Sequence, residues 1–365
     1  QEVVDAHESN AFIRWDLGIG AGGPAYYRDI YGSVSKVLYN DALVIDTKYK
    51  ATQDGISTNH GAEMSAIDFI TVHYTGNMSP KADANANASY FAGGGGTSIH
   101  YVTGNDGVFY CLDEKYVGYH AGDSSMGERK WIKTGIKATS DDPETPVWGI
   151  SSNSKFTLNG QETIVNVPEG TTDATKKVTG NTFVYNGKVQ NCINDMGLAW
   201  KIVDGEYYML DTWWCYSQVS AGRICNYGGN RNSIGIESAV NPESDLWYTW
   251  QRTAQLVADI MVRHNLDITR VVGHHFWTAK DCPQPLLENN LEIWDIFIES
   301  VKHEYKLITD FKDTKFAFTC DSDIIGKNGR VATQPLFSQI VTYTVEVNGE
   351  KITLATMVEG RYNKK

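Results

Sequence analysis

The apolar pattern of the chain is most regular between residues 66 and 112. AIDFITVHY, 66–74, is an apolar β-branched run of the kind that fills a buried strand. KADANANASYF, 81–91, has the alanines and spaced apolar residues of a helix. SIHYVTGNDGVFYCL, 98–112, predicts two strands joined around Asn105-Asp106-Gly107, a strong hairpin signal. The same texture returns at NSIGIESAV, 232–240, a second buried strand. In LWYTWQRTAQLVADIMVRHNL, 246–266, Leu246, Trp250, Ala254, Val257, Ile260, Met261 and Leu266 gather largely on one side, which predicts an amphipathic helix. DITRVVGHH then predicts a short strand, and LEIWDIFIESVKHEY, 291–305, a further helix.

The flanks read differently. Residues 1–65 hold one strand candidate, ALVID at 42–46, and are expected as an N-terminal extension packed on the core. From about 123 to 230, Asn-Gly pairs at 159–160 and 186–187 sit between alternating runs, which is hairpin patterning. Because core-like elements resume afterwards, this stretch is expected to be a long β-rich insertion, not a separate domain. Residues 305–365 alternate to the end, with a last hairpin at Asn348-Gly349, and are expected as a small β-module. The expected fold is therefore α/β: a central, mostly β core at 66–304 flanked by helices, interrupted by the insertion.

Composition narrows the function classes. With 41% hydrophobic and 21% charged residues in 365, the chain is expected to be globular and not disordered. No run of 18 apolar residues predicts a membrane span. A net charge of −12 argues against nucleic acid and against electrostatic adhesion to anionic surfaces. Six cysteines are too few to build a disulfide scaffold, although Cys215 and Cys225 are close enough in sequence to bridge a loop. The chain starts at Gln1 with no signal-like stretch, so an export signal removed upstream is the expectation. Oligomeric state leaves no mark in the sequence.

GHHFWTAKDCP, 273–283, concentrates the candidate chemistry. His274 and Cys282 are too far apart for one helical face and suit two arms of a loop. With His73, at the end of its strand, they would make a three-ligand zinc set with one position left open. Glu237 is a carboxylate at an inward-reading position of an apolar strand, where burial of a charge calls for a role or a partner. Lys280, two residues before Cys282, is a candidate cation for an oxyanion. Taken singly, each also fits an ordinary place: a strand-end histidine, a strand-exit carboxylate, a solvated lysine. A thiol nucleophile at Cys282 with His274 as its base is the rival chemistry, and His275 is the rival of His274.

Taken together, VHYT (72–75), SIHYVTGNDGVFY (98–110), YHAGD (119–123), NSIGIE (232–237) and GHHFWTAKDCP, in this order, resemble a known family. It is that of the zinc-dependent N-acetylmuramoyl-L-alanine amidases of the type-2 amidase and peptidoglycan recognition protein superfamily. The resemblance runs over roughly 66–304. It implies Zn²⁺ held by His73, His274 and Cys282, with Glu237 and Lys280 as catalytic residues. It also puts His100, His120 and Trp277 beside the substrate. The implied substrate is bacterial peptidoglycan, cut between N-acetylmuramic acid and L-alanine. The implied place of action is extracellular or in the cell wall, as an exported enzyme or a phage endolysin. Two departures stand out: Ile99 replaces a tyrosine that some branches carry, and the insertion is unusually long. A binding-only recognition protein and a zinc peptidase acting within the stem peptide are the other readings.

Overall fold

The computed structural model describes residues 1–12, 34–50, 60–77, 79–94, 97–121, 131–143, 146–166, 182–185, 188–191, 200–210, 229–241, 245–277, 282–287, 292–332 and 335–360. At its centre is a six-stranded sheet made of β1 (Ile45–Asp46), β2 (Phe69–Tyr74), β3 (Tyr101–Gly104), β4 (Gly107–Tyr110), β5 (Ser233–Ser238) and β6 (Val271–Gly273). Their order is β6-β2-β5-β3-β4-β1. Neighbours run parallel except for the β3–β4 hairpin. Helices α1 (Ala84–Ala92), α2 (Leu246–His264) and α3 (Glu292–Ile308) complete the core.

Side-chain alternation gives the sheet two different faces. On one, Ile70, Val72, Tyr101, Ile234 and Ile236 pack against Leu246, Trp250 and Val257 of α2 and Phe297 and Val301 of α3. Each such fully buried aliphatic side chain contributes about 1.5–3 kcal/mol. On the other face Ile99, Val102 and Phe109 pack against Ala84 and Ala88 of α1. Small alanines let α1 lie close to the sheet. The hairpin turn also starts this helix, because the Asp106 carboxylate accepts from the backbone N–H groups of Ala84 (3.0 Å) and Asn85 (2.9 Å). Asp245 caps α2, and Asn265 closes it in the left-handed conformation.

Three expectations change in detail. ALVID contributes only Ile45–Asp46, and Val44 is 75% exposed. In DITRVVGHH the Asp267 side chain accepts from Thr269 N–H, turning Ile268–Arg270 into a 3-10 turn and leaving Val271–Gly273 as strand. The insertion forms two sheets among its described residues: five strands from Trp148–Ile150 to Lys188–Asn191, and three built from Trp131–Lys137, Trp200–Val203 and Glu206–Leu210. Its Asn159-Gly160 turn has positive φ at both residues, whereas Asn186-Gly187, Cys215 and Cys225 lie outside the described residues. No helix among the described residues is long and apolar enough to cross a membrane.

The N-terminal and C-terminal segments meet. A hairpin of Glu8–Phe12 and Val34–Leu38 lies near the C-terminal sheet of β7 (Phe316–Cys320), β8 (Gln339–Val347) and β9 (Glu350–Val358). Val4, Val37 and Leu38 share one apolar cluster with Ile325, Val341, Tyr343, Val345 and Val358. Buried Arg330 lies between the rings of Tyr39 (4.1 Å) and Tyr248 (3.9 Å), so it joins the N-terminal segment, the C-terminal unit and α2.

Two buried carboxyls respond to pH in opposite directions. Glu114 accepts both Arg263 Nη atoms (2.6 and 2.8 Å) and the Tyr101 hydroxyl (2.7 Å), and His264 Nε2 stands 2.9 Å away. Burial pushes this carboxyl up, but these partners outweigh it and hold it down at about 2. A carboxyl held below its unfolded value stabilises the fold above that value and loses the contribution as pH falls. Glu114→Gln is therefore expected to cost about 2–3 kcal/mol at neutral pH. The gap to the parent should close on acidification from about 4.5 to about 2, read by denaturant unfolding. Glu304, hydrogen-bonded by Gln251, is instead driven up to about 8 by burial. Its folded state keeps a proton that the unfolded chain releases, so stability declines as pH rises from about 4.5 to about 8. Glu304→Gln should flatten this decline.

Candidate metal centre and cleft

Parallel pairing puts Glu237 of β5 directly beside His73 of β2, and the two side chains share a face. On the other side of β2, β6 ends at Gly273 and hands the chain to His274. The loop then returns so that His275 N–H donates to the Cys282 carbonyl at 2.9 Å, just before a cis Cys282–Pro283 bond. Gly273 permits this closure, since a Cβ there would stand 2.8 Å from the Pro283 ring.

The result is a compact group of His73, His274 and Cys282, all buried, whose nitrogen and sulfur atoms lie within 4.8 Å of one another. Among the described residues it is the one group of three or more such side chains close enough to hold a metal ion. Cys282 Sγ is 3.7 Å from His73 Nδ1, and the His73 and His274 rings stand 4.7 Å apart at 68°. Tetrahedral zinc with bonds of about 2.0 and 2.3 Å separates a nitrogen from a sulfur by about 3.5 Å, so the donor set and spacing fit that ion. His275 turns elsewhere, edge-on to Trp294.

The group forms the floor of a cleft of about 580 Å³. Glu237 and His120 border it, and α1 with its preceding loop supplies Lys81, Asn87 and Tyr90 as a wall. Tyr90 is 62% exposed, which suits an aromatic face awaiting a ligand. Ile99, at the position where some branches of the family carry a tyrosine, lines the same cleft.

The expected substrate residues separate. His120 borders the cleft, with Nδ1 3.0 Å from His73 Nε2. Burial, followed by the neighbouring His100 and His274, holds its ring well below the usual histidine range. His100 and Trp277, in contrast, are fully buried and neither lines the cleft. Backbone groups engage both His100 nitrogens, Nδ1 accepting from Gly235 N–H (2.9 Å) and Nε2 facing the Tyr116 carbonyl (2.9 Å). Trp277 donates from Nε1 to Thr71 Oγ1 (2.8 Å) and packs edge-on against Phe69. Lys280 lies outside the described residues. The contact of His120 with His73 and the α1 wall are not legible in the sequence pattern. Gly235, a glycine inside an apolar strand, is the available signal that something presses close there.

Comparison with known proteins places the chain in a family. The family model described as N-acetylmuramoyl-L-alanine amidase matches residues 63–154 and 150–285, more than half of the chain. N-acetylmuramoyl-L-alanine amidase XlyA of Bacillus subtilis (strain 168) is 38% identical over 72 residues, 20% of this chain and 23% of that protein. N-acetylmuramoyl-L-alanine amidase CwlH of the same strain is 31% identical over 105 residues, 29% of this chain and 39% of that protein. The matches thus span less than half the length of either relative. Among solved structures, the catalytic domain of XlyA aligns over 71% of this chain and 99% of its own, at 20% identity and a TM-score of 0.39. The matched segments contain His73, Glu237, His274 and Cys282, and the chain belongs to the N-acetylmuramoyl-L-alanine amidase family.

Proposed function

We propose that the chain hydrolyses the amide between the lactyl group of N-acetylmuramic acid and L-alanine in bacterial peptidoglycan. The observation that carries this reading is the His73–His274–Cys282 group, set beside Glu237 on a cleft floor in a chain of this family. These three residues would hold zinc, which when bound supplies Lewis acidity toward a carbonyl and toward water. Glu237 accepts a proton from the attacking water and passes it to the departing L-alanine nitrogen. Lys280 supplies positive charge to the developing oxyanion. Lys81 and Asn87 offer polar contacts to the stem peptide, and Tyr90 a flat face to sugar or peptide. The site of action under this reading is the cell wall, reached as an exported enzyme or as a phage endolysin.

A second reading has one observation in its favour. The 3.7 Å contact of Cys282 Sγ with His73 Nδ1 is also that of a thiol–imidazole pair, which needs no metal. Burial of both groups weighs against a thiol that must reach a substrate carbonyl.

Metal analysis of the purified protein is expected to give one zinc per chain. Chelation should abolish digestion of peptidoglycan, and zinc should restore it; activity insensitive to chelators would favour the thiol. Mass analysis of the digest should find new L-alanine amino termini with the glycan intact. Glu237→Gln is expected to lower kcat by roughly 10²–10⁴-fold while zinc content is unchanged. A fully active Glu237→Gln enzyme would remove the glutamate from the mechanism.

A further inference from the structure

His120 has no part in the reaction just described, yet its ring stands within hydrogen-bond distance of His73. His120 Nδ1 is 3.0 Å from His73 Nε2, with the rings at 85°. The second nitrogen of His120, Nε2, faces the Ser233 carbonyl at 3.4 Å. A carbonyl only accepts, so a neutral His120 that bonds it carries its proton on Nε2 and leaves Nδ1 as an acceptor. That acceptor takes the proton of His73 Nε2. His73 Nδ1 then carries no proton, and it is this atom that faces Cys282 Sγ. A metal ligand needs a deprotonated nitrogen, and the partner of the other ring nitrogen selects which one that is.

The ring is seated as well as bonded. A Cβ at Gly235 would stand 2.7 Å from its Nδ1 and Cε1, and one at Gly118 would stand 3.0 Å from its Cδ2. Asn230 Oδ1 accepts from the backbone N–H groups of His120 (2.9 Å) and Ala121 (2.6 Å), so the loop cannot easily carry the ring away.

We propose that His120 is the positioning residue of His73: it accepts the His73 Nε2 proton, relayed in direction from the Ser233 carbonyl, and so presents Nδ1 to the metal position. This rests on the metal reading of His73, His274 and Cys282. His120→Leu removes the acceptor at similar size, and His120→Asn keeps an oxygen near the place of Nδ1. Chelator competition is expected to give the leucine variant a zinc affinity lower by roughly 10–100-fold. The asparagine variant should recover most of it, and metal-free melting should be alike in all three proteins. Nitrogen NMR of metal-free wild type should show His73 protonated on Nε2, and the leucine variant should lose that preference. Unchanged zinc affinity in His120→Leu, with a raised KM for muropeptide, would overturn the proposal and make His120 a wall of the substrate site. Failure of the functional reading looks different, since there the wild type itself takes up no zinc. An Nε2-protonated His73 that persists in the leucine variant likewise overturns the role of His120.

Discussion

Parallel strand pairing is the constraint from which the site follows. β2 is hydrogen-bonded to β5 on one edge and to β6 on the other, and all three point the same way. Their carboxyl ends therefore finish together, and His73, Glu237 and His274 arrive at one rim although they lie far apart in sequence. A slip of one residue in β5 would send Glu237 to the face packed by α2 and bring Ile236 to the cleft. Apolar packing of Ile234 and Ile236 against α2 is what forbids that slip. The hydrophobic core and the geometry of the candidate site are thus two results of one register.

Much of this is legible in the sequence, for physical reasons that can be named. Buried strands are apolar runs, so FITVHY and SIGIES stand out, with His73 and Glu237 each one residue before the strand end. Asn348-Gly349 predicts its hairpin because both residues adopt positive φ, at 52° and 92°. The spacing of His274 and Cys282 suits the two arms of a loop, which is how the chain closes on itself after β6.

What stays hidden depends on distances that pattern does not encode. His100 and His120 look alike in sequence, yet one is consumed by backbone groups and the other faces the cleft. Trp277 belongs to the same motif as the metal-ligand candidates but is fully buried, its Nε1 donating to Thr71. The ion pair of Glu114 with Arg263 joins residues 149 positions apart, and nothing local announces it. ALVID carries a strand's composition, but its middle is left in solvent and pairing is confined to two residues.

The apolar cluster shared by the N-terminal and C-terminal segments has a consequence for the order of events in synthesis. Ser9 and Arg330, 321 positions apart, lie 3.4 Å from each other, and Val37 and Leu38 are covered by strands made much later. During synthesis Val37 and Leu38 lack these partners until residues 325–358 have been made. Those late strands thus close an apolar cluster that the N-terminal segment begins, and the meeting of the two segments completes it.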